Sequence, residues 1–187
     1  AAVLGRTGGF DRLLTIFNMS DDVISETSLG DGVDEGVHTR VGHEHGGRRG
    51  GRTLISDGNV LIAGGQGVNG SAMVESYMYV PGTNSWESAG PMLVPRAGHT
   101  ASLLPSGRVL ITSGLDTGKK PVAKAEVFDP ASKYWAERAW TSAGSMKNAL
   151  PGAAAVVLLD GTVLVTGMGS AGASAEVYDP ASSRWSS

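Results

Sequence analysis

The chain repeats itself. Shifted by 54 positions, Trp86 through Gly114 falls on Trp140 through Met168 without a gap, and Trp86, Ser88, Ala89, Gly90, Met92, Gly98, Ala101, Leu104, Gly107, Val109, Leu110 and Thr112 each meet an identical residue. A second set of landmarks, Pro81, Pro130 and Pro180, is followed five residues on by Trp86, Trp135 and Trp185, at spacings of 49 and 50 residues. Self-similarity at such a period means that each unit is one small supersecondary structure, which buries its apolar face by stacking on its neighbours.

Within each unit a turn pair precedes an apolar run: Asp57-Gly58 before Val60-Leu61-Ile62, Ser106-Gly107 before Val109-Leu110-Ile111, Asp160-Gly161 before Val163-Leu164-Val165. Glycine supplies the positive φ that a tight hairpin demands. The pattern predicts hairpins from Thr100–Leu104 into Arg108–Thr112 and from Ala154–Leu159 into Thr162–Thr166. A third strand follows at Ala125–Phe128 and Ala175–Tyr178, and Asp-Pro-Ala-Ser turns the chain into a fourth that carries the tryptophan. Four strands per unit, here lettered a to d, make the chain all-β.

Val60-Leu61-Ile62-Ala63-Gly64-Gly65, then Tyr79 and Trp86, resemble the kelch repeat in order, with closest likeness to bacterial kelch proteins related to the galactose oxidase propeller. Ser113-Gly114 and Gly167-Met168 depart from the pattern, each keeping one glycine of the pair. The resemblance implies an incomplete kelch-type β-propeller of about three and a half four-stranded blades, where propellers carry roughly 4–8. Its units run over 53–99, 100–153 and 154–187, preceded by the tail of a degenerate blade over 1–24 and an irregular glycine- and charge-rich loop over 25–52. The chain therefore reads as a fragment, and its uncovered end faces predict self-association.

A formal net charge of −3 provides no positive field to gather nucleic acid or an anionic membrane. With no cysteine, disulfides and thiolate metal sites are excluded. No apolar run has the length of a transmembrane helix. Only the resemblance speaks to location, favouring a secreted or cell-surface protein.

The a–b and c–d turns are short and alike, whereas the b–c and d–a connections vary. The b–c set is Gln66–Ala72, Leu115–Val122 and Met168–Ala173; the d–a set is Ser25–Val37 and Glu137–Leu150. Binding residues sit on variable loops held by a rigid scaffold, so a ligand is expected on that edge. The candidate ligand-binding residues are Gln66, Asn69, Asp116, Lys119, Lys120, Trp140, Arg96 and His99. A tryptophan recurring once per unit reads as packing between blades, but Trp135 and Trp140 share one unit and only one can fill that place. The other is expected to be the more exposed. Arg96 and His99, echoed by Arg40 and His43, read either as an active-site pair or as a brace between loops, the third unit having Leu150 and Ala153 there. His38, His43 and His45, the arginine–glycine stretch 46–52 and the Lys119-Lys120 tip all have plain readings as solvated loop, and no catalytic residue, metal or cofactor is expected.

The expectation is a non-catalytic binding or scaffold module for a protein or glycan. The alternative is a fragment of a galactose oxidase-like carbohydrate-active enzyme, whose chemistry, the resemblance implies, uses a cysteine cross-linked to a copper-ligating tyrosine. This chain has no such cysteine.

Overall fold

The computed structural model describes residues 3–5, 13–15 and 51–187, apart from 68, 133, 136–138 and 171. Its described elements are strands. β1 (Val3–Gly5) pairs antiparallel with β2 (Leu13–Thr15). Three four-stranded antiparallel sheets follow in chain order: β3 (Gly51–Leu54), β4 (Val60–Ala63), β5 (Ser76–Val80) and β6 (Ser85–Ser88); β7 (Thr100–Leu103), β8 (Val109–Thr112), β9 (Lys124–Phe128) and β10 (Trp140–Ser145); β11 (Ala154–Val157), β12 (Val163–Gly169), β13 (Gly172–Asp179) and β14 (Arg184–Ser186). Each sheet is a simple meander, so the fold is all-β and built as blades of a partial propeller. Among the described residues no helix is long and apolar enough to cross a membrane.

Local chemistry sets the turns. Gly58, Gly107 and Gly161 hold φ of 86°, 80° and 83° between strands a and b. There Asp57 and Asp160 accept the N–H two residues on, at 2.9 and 3.0 Å. Asp129 and Asp179 do the same for Ala131 and Ala181 between strands c and d.

The strands alternate faces, and each face meets a different neighbour. On the leading side of the second sheet, Leu103, Val109, Phe128 and Trp140 stand opposite one another across the four strands. They pack on Leu61 and Met78 of the first sheet, with Ile55 from its a–b turn, in one buried cluster. On the trailing side, Leu110 and Val127 pack with Leu104 on Val163, Val165 and Tyr178 of the third sheet in another. The core therefore lies between consecutive sheets, which fixes their order around the axis.

Four expectations are corrected. The loop placed over 25–52 lies outside the described residues except at its end, where Gly51 and Arg52 already pair with Ala63 and Ile62 as the start of β3. The echo residues Arg40 and His43, along with His38 and His45, are likewise outside them. The predicted strand Ala154–Leu159 stops at Val157, because Leu158 N–H and Leu158 C=O both turn back, onto Thr162 O and from Gly161 N–H. The d–a connection expected over 137–150 begins later, since Trp140 through Ser145 form β10. In the third sheet most of the b–c connection expected over 168–173 is strand, β12 running to Gly169 and β13 starting at Gly172, with these two opposite each other.

Candidate functional site

The edge formed by the b–c and d–a connections is built on a double left-handed bend. After β4, Gly64 and Gly65 hold φ of 54° and 109°, and after β8, Ser113 and Gly114 hold 66° and 89°. The bends make room for the incoming d–a segment. A Cβ on Gly64 would lie 2.6 Å from Arg96 O, and one on Gly114 2.9 Å from Ala97 O. Ser113 keeps the bend although it is not glycine; Met168 does not, so the third sheet runs straight.

The d–a segment is then laced to the first sheet's loop. Met92 N–H donates to Val74 O, Arg96 N–H to Met73 O and Gly65 N–H to Arg96 O, at 2.7, 3.1 and 2.9 Å. Ala97 and Leu115 exchange both backbone bonds, which ties the same segment to the second sheet's loop. Below it Arg96 is fully buried: Nη1 donates to Ser113 O (3.1 Å) and Lys124 O (2.9 Å), and Nη2 to Glu126 Oε1 (2.6 Å). Glu126 also accepts the N–H groups of Leu93 (2.5 Å) and Val94 (3.1 Å). A buried carboxylate bound this way is a clamp on the segment between two blades. Glu176 repeats the clamp on Lys147 and Asn148 (2.7 and 2.8 Å), with Leu150 standing where the second sheet has Arg96.

His99 sits against Gly51, Gly64 and Gly114. Its two ring nitrogens are shielded from water and make no hydrogen bond. Burial first, and then the charge of Arg96, push its pKa down to about 3, so the ring is neutral near pH 7. Burial also lowers the pKa of Arg96, against the opposing pull of Glu126. Both side chains lie in the contact between the two loops, Arg96 bonded to the second sheet and the His99 ring against three glycines.

Trp140 lies between the first and second sheets. Its ring packs on Phe128 at 5.1 Å, as Trp86 packs on Tyr79 and Trp185 on Tyr178. Its indole N–H donates to Ala89 O (2.9 Å) and Ser76 Oγ (3.0 Å) of the first sheet. Trp185 repeats this contact one sheet on, donating to Ala143 O at 2.8 Å. Trp140 is thus the blade tryptophan, 8% exposed. Trp135, half-buried, donates instead to Pro130 O at 2.8 Å within its own connection.

Above this scaffold lies an open groove of about 610 Å³. Gly67, Asn69, Met73 and Glu75 of the first sheet's b–c loop line it, with Pro95 from the d–a segment and Thr117 from the second sheet's loop. Asn69 Oδ1 accepts Ser71 N–H (3.0 Å) and shapes the loop wall. Gln66 is bridged to Ala72 beside the groove. Asp116 Oδ1 caps its own loop by accepting Lys120 N–H at 2.9 Å, and Lys119 and Lys120 stand exposed at that loop's tip. Of the sequence candidates, then, the groove takes Asn69 directly and has Gln66 and the 116–120 loop beside it. Met73, Glu75, Pro95 and Thr117 were not among them. The signal for Met73 and Glu75 was the distance still to run between Ala72 and strand c. Among the described residues no three His, Cys, Asp or Glu side chains gather where they could share a metal ion.

No protein-family model matches the chain, and no curated protein matches it. Among solved structures it is similar to a fungal alcohol oxidase of the AA5 family, determined in complex with copper, with a TM-score of 0.55 and 19% identity. The match covers 82% of this chain and 32% of the oxidase chain, so this chain spans about a third of that protein.

Proposed function

From the shared all-β fold with an AA5 alcohol oxidase, we propose that the chain is a kelch-type binding module that recognises a protein or glycan through its variable edge. The observation that carries the reading is the groove between the first two sheets' b–c loops. Two connections and a buried Arg96–Glu126 pair hold its walls, and Asn69, Glu75 and Thr117 supply polar groups without a nucleophile–base pair among them. An open groove with few polar groups on a braced scaffold suits an extended ligand held by shape and a handful of hydrogen bonds.

Titration of isotope-labelled protein with a panel of neutral and acidic oligosaccharides and of peptides, followed by amide NMR, tests it. Saturable shifts centred on 66–75 and 115–120, reduced in the double variant Asn69→Ala, Glu75→Gln, support the reading. Shifts elsewhere, or none with any probe, sink it.

A second reading has one observation in its favour, the fold shared with the copper-bound AA5 oxidase. In it the chain is part of a galactose oxidase-like carbohydrate-active enzyme. The described residues do not fit a copper centre: the chain has no cysteine, and no trio of His, Cys, Asp or Glu comes together among them. Stoichiometric copper retained after dialysis would favour this second reading over the first.

A further inference from the structure

We propose that the groove between the first two sheets takes an extended peptide in which aliphatic residues stand beside a lysine or arginine, so that its ligand is a protein segment and not a glycan. This rests on the groove being a binding site, and the residues around it then select the ligand.

Three connections supply the groove's lining: 66–75 and 115–122 between strands b and c, and 91–95 between d and a. None of them contains an aromatic residue. A sugar ring is held by stacking its C–H face on an aromatic side chain, and these connections offer no such plate. What they offer is aliphatic. Ala72, Met73, Val74 and Pro95 line the groove, and Leu93, two residues before Pro95, is 55% exposed. Methionine adapts its shape to the side chain it meets, which suits the aliphatic residues of a peptide. Glu126 holds the N–H groups of Leu93 and Val94, whereas the matching clamp by Glu176 in the third sheet holds Lys147 and Asn148. The clamp is thus indifferent to what its segment displays, and beside the groove the display is leucine, valine and proline.

Among the described lining residues Glu75 is the one that carries a charge. Its Oε2 accepts Val74 N–H at 3.1 Å, and Asn69 Oδ1 accepts Ser71 N–H at 3.0 Å, both in exposed contacts. Carbonyl groups of a peptide lying in the groove can take over those two N–H groups at little net cost, because one exposed hydrogen bond is exchanged for another. Glu75 is then released to meet a cation, which a lysine or arginine next to the aliphatic residues supplies. Backbone hydrogen bonds for affinity and side-chain contacts for specificity are how extended peptides are recognised.

Amide NMR titration of the 187-residue chain with capped octapeptides tests this. One alternates leucine with lysine, a second has glutamate for the lysine, a third has serine for the leucine, and a neutral and a uronic-acid hexasaccharide are run beside them. The leucine–lysine peptide is expected to shift the amides of 67–75 saturably and to bind more tightly than the other probes. Glu75→Gln should weaken it about two- to fivefold, the range of an exposed ion pair. Met73→Ser should weaken it about tenfold through lost apolar contact. Glu75→Lys should turn the preference toward the leucine–glutamate peptide. Thermal unfolding verifies that the variants fold, and the exposed Glu75 alone suffices for the test. Shifts at 67–75 with a hexasaccharide and none with a peptide overturn the peptide ligand while leaving the groove as the binding site. Equal binding of the lysine and glutamate peptides, or a preference that Glu75→Lys does not reverse, also overturns it. No binding at 67–75 by any probe sinks this proposal together with the binding reading.

Discussion

The second and third sheets share the same landmark residues, yet among the described residues the second has a four-stranded sheet on either side and the third on one. Ile111, Phe128 and Leu110 of the second are all within 1% of complete burial, whereas in the third the leading residues Val163 and Val165 are buried and Val156, Leu158 and Met168 on the other side are exposed. The same alternation of apolar residues thus gives a two-sided core in one place and a one-sided core in the other. Burial in this architecture belongs to the interface between sheets more than to the sheet itself. Polar groups differ likewise: Glu126 has the guanidinium of Arg96 as well as two backbone donors, while Glu176 has the two donors, and Leu150 takes the sequence place of Arg96.

The largest effect expected from this contrast is at those two glutamates. Glu126→Ala strands the buried Arg96 cation and should cost about 3–5 kcal/mol, whereas Glu176→Ala frees two backbone donors and should cost about 1–3 kcal/mol. Urea unfolding of the two variants measures the difference, and equal costs would mean that the ion pair contributes nothing beyond the clamp. Next, Leu110→Ala should cost about 3 kcal/mol and Leu164→Ala about 1 kcal/mol or less at concentrations where the chain is monomeric. If both cost the same in the monomer, something already covers the third sheet. At the tryptophans the gap narrows. Trp140→Phe removes an N–H that two oxygens of the first sheet accept and should cost about 2 kcal/mol, while Trp135→Phe should cost about 1 kcal/mol or less, its acceptor being near solvent.

The smallest effect is in pH. His99 has its pKa depressed to about 3 in the fold, against an ordinary value of 6.5, so below 6.5 the unfolded chain binds a proton that the folded chain refuses. Stability contributed by the neutral ring is whole above about pH 6.5 and is lost as pH falls toward 3, at about 1 kcal/mol over the first unit. The third sheet has Ala153 at this place and contributes no such slope. His99→Gln should flatten the pH dependence of the unfolding midpoint between 6.5 and 5.5, and an unchanged slope would place the proton uptake elsewhere.

Hairpins, strand order and the repeat were legible in the sequence because they depend on neighbours a few residues apart: a glycine with positive φ, an aspartate accepting the N–H two residues on, a two-residue alternation. The tryptophan of the second unit was ambiguous, since spacing from Pro130 pointed to Trp135 and the 54-residue shift to Trp140. The run Trp-Thr-Ser-Ala-Gly-Ser-Met from Trp140, which matches Trp86 to Met92 at five of seven positions, held the answer. Arg96 and His99 were visible as a pair, but their role was not. It rests on Glu126, thirty residues away on another strand, and on three glycines from two sheets that together remove the imidazole from water.

What the sequence determined alone is the unit: a four-stranded meander with apolar residues on both faces, because turn chemistry and side-chain alternation act within one segment. Which of those faces is core, which ring spans two sheets and which loops meet to form the groove were decided only by stacking. Each depends on atoms that approach from a different repeat, and identical residues in successive units leave no local mark of whether a neighbour is there to receive them.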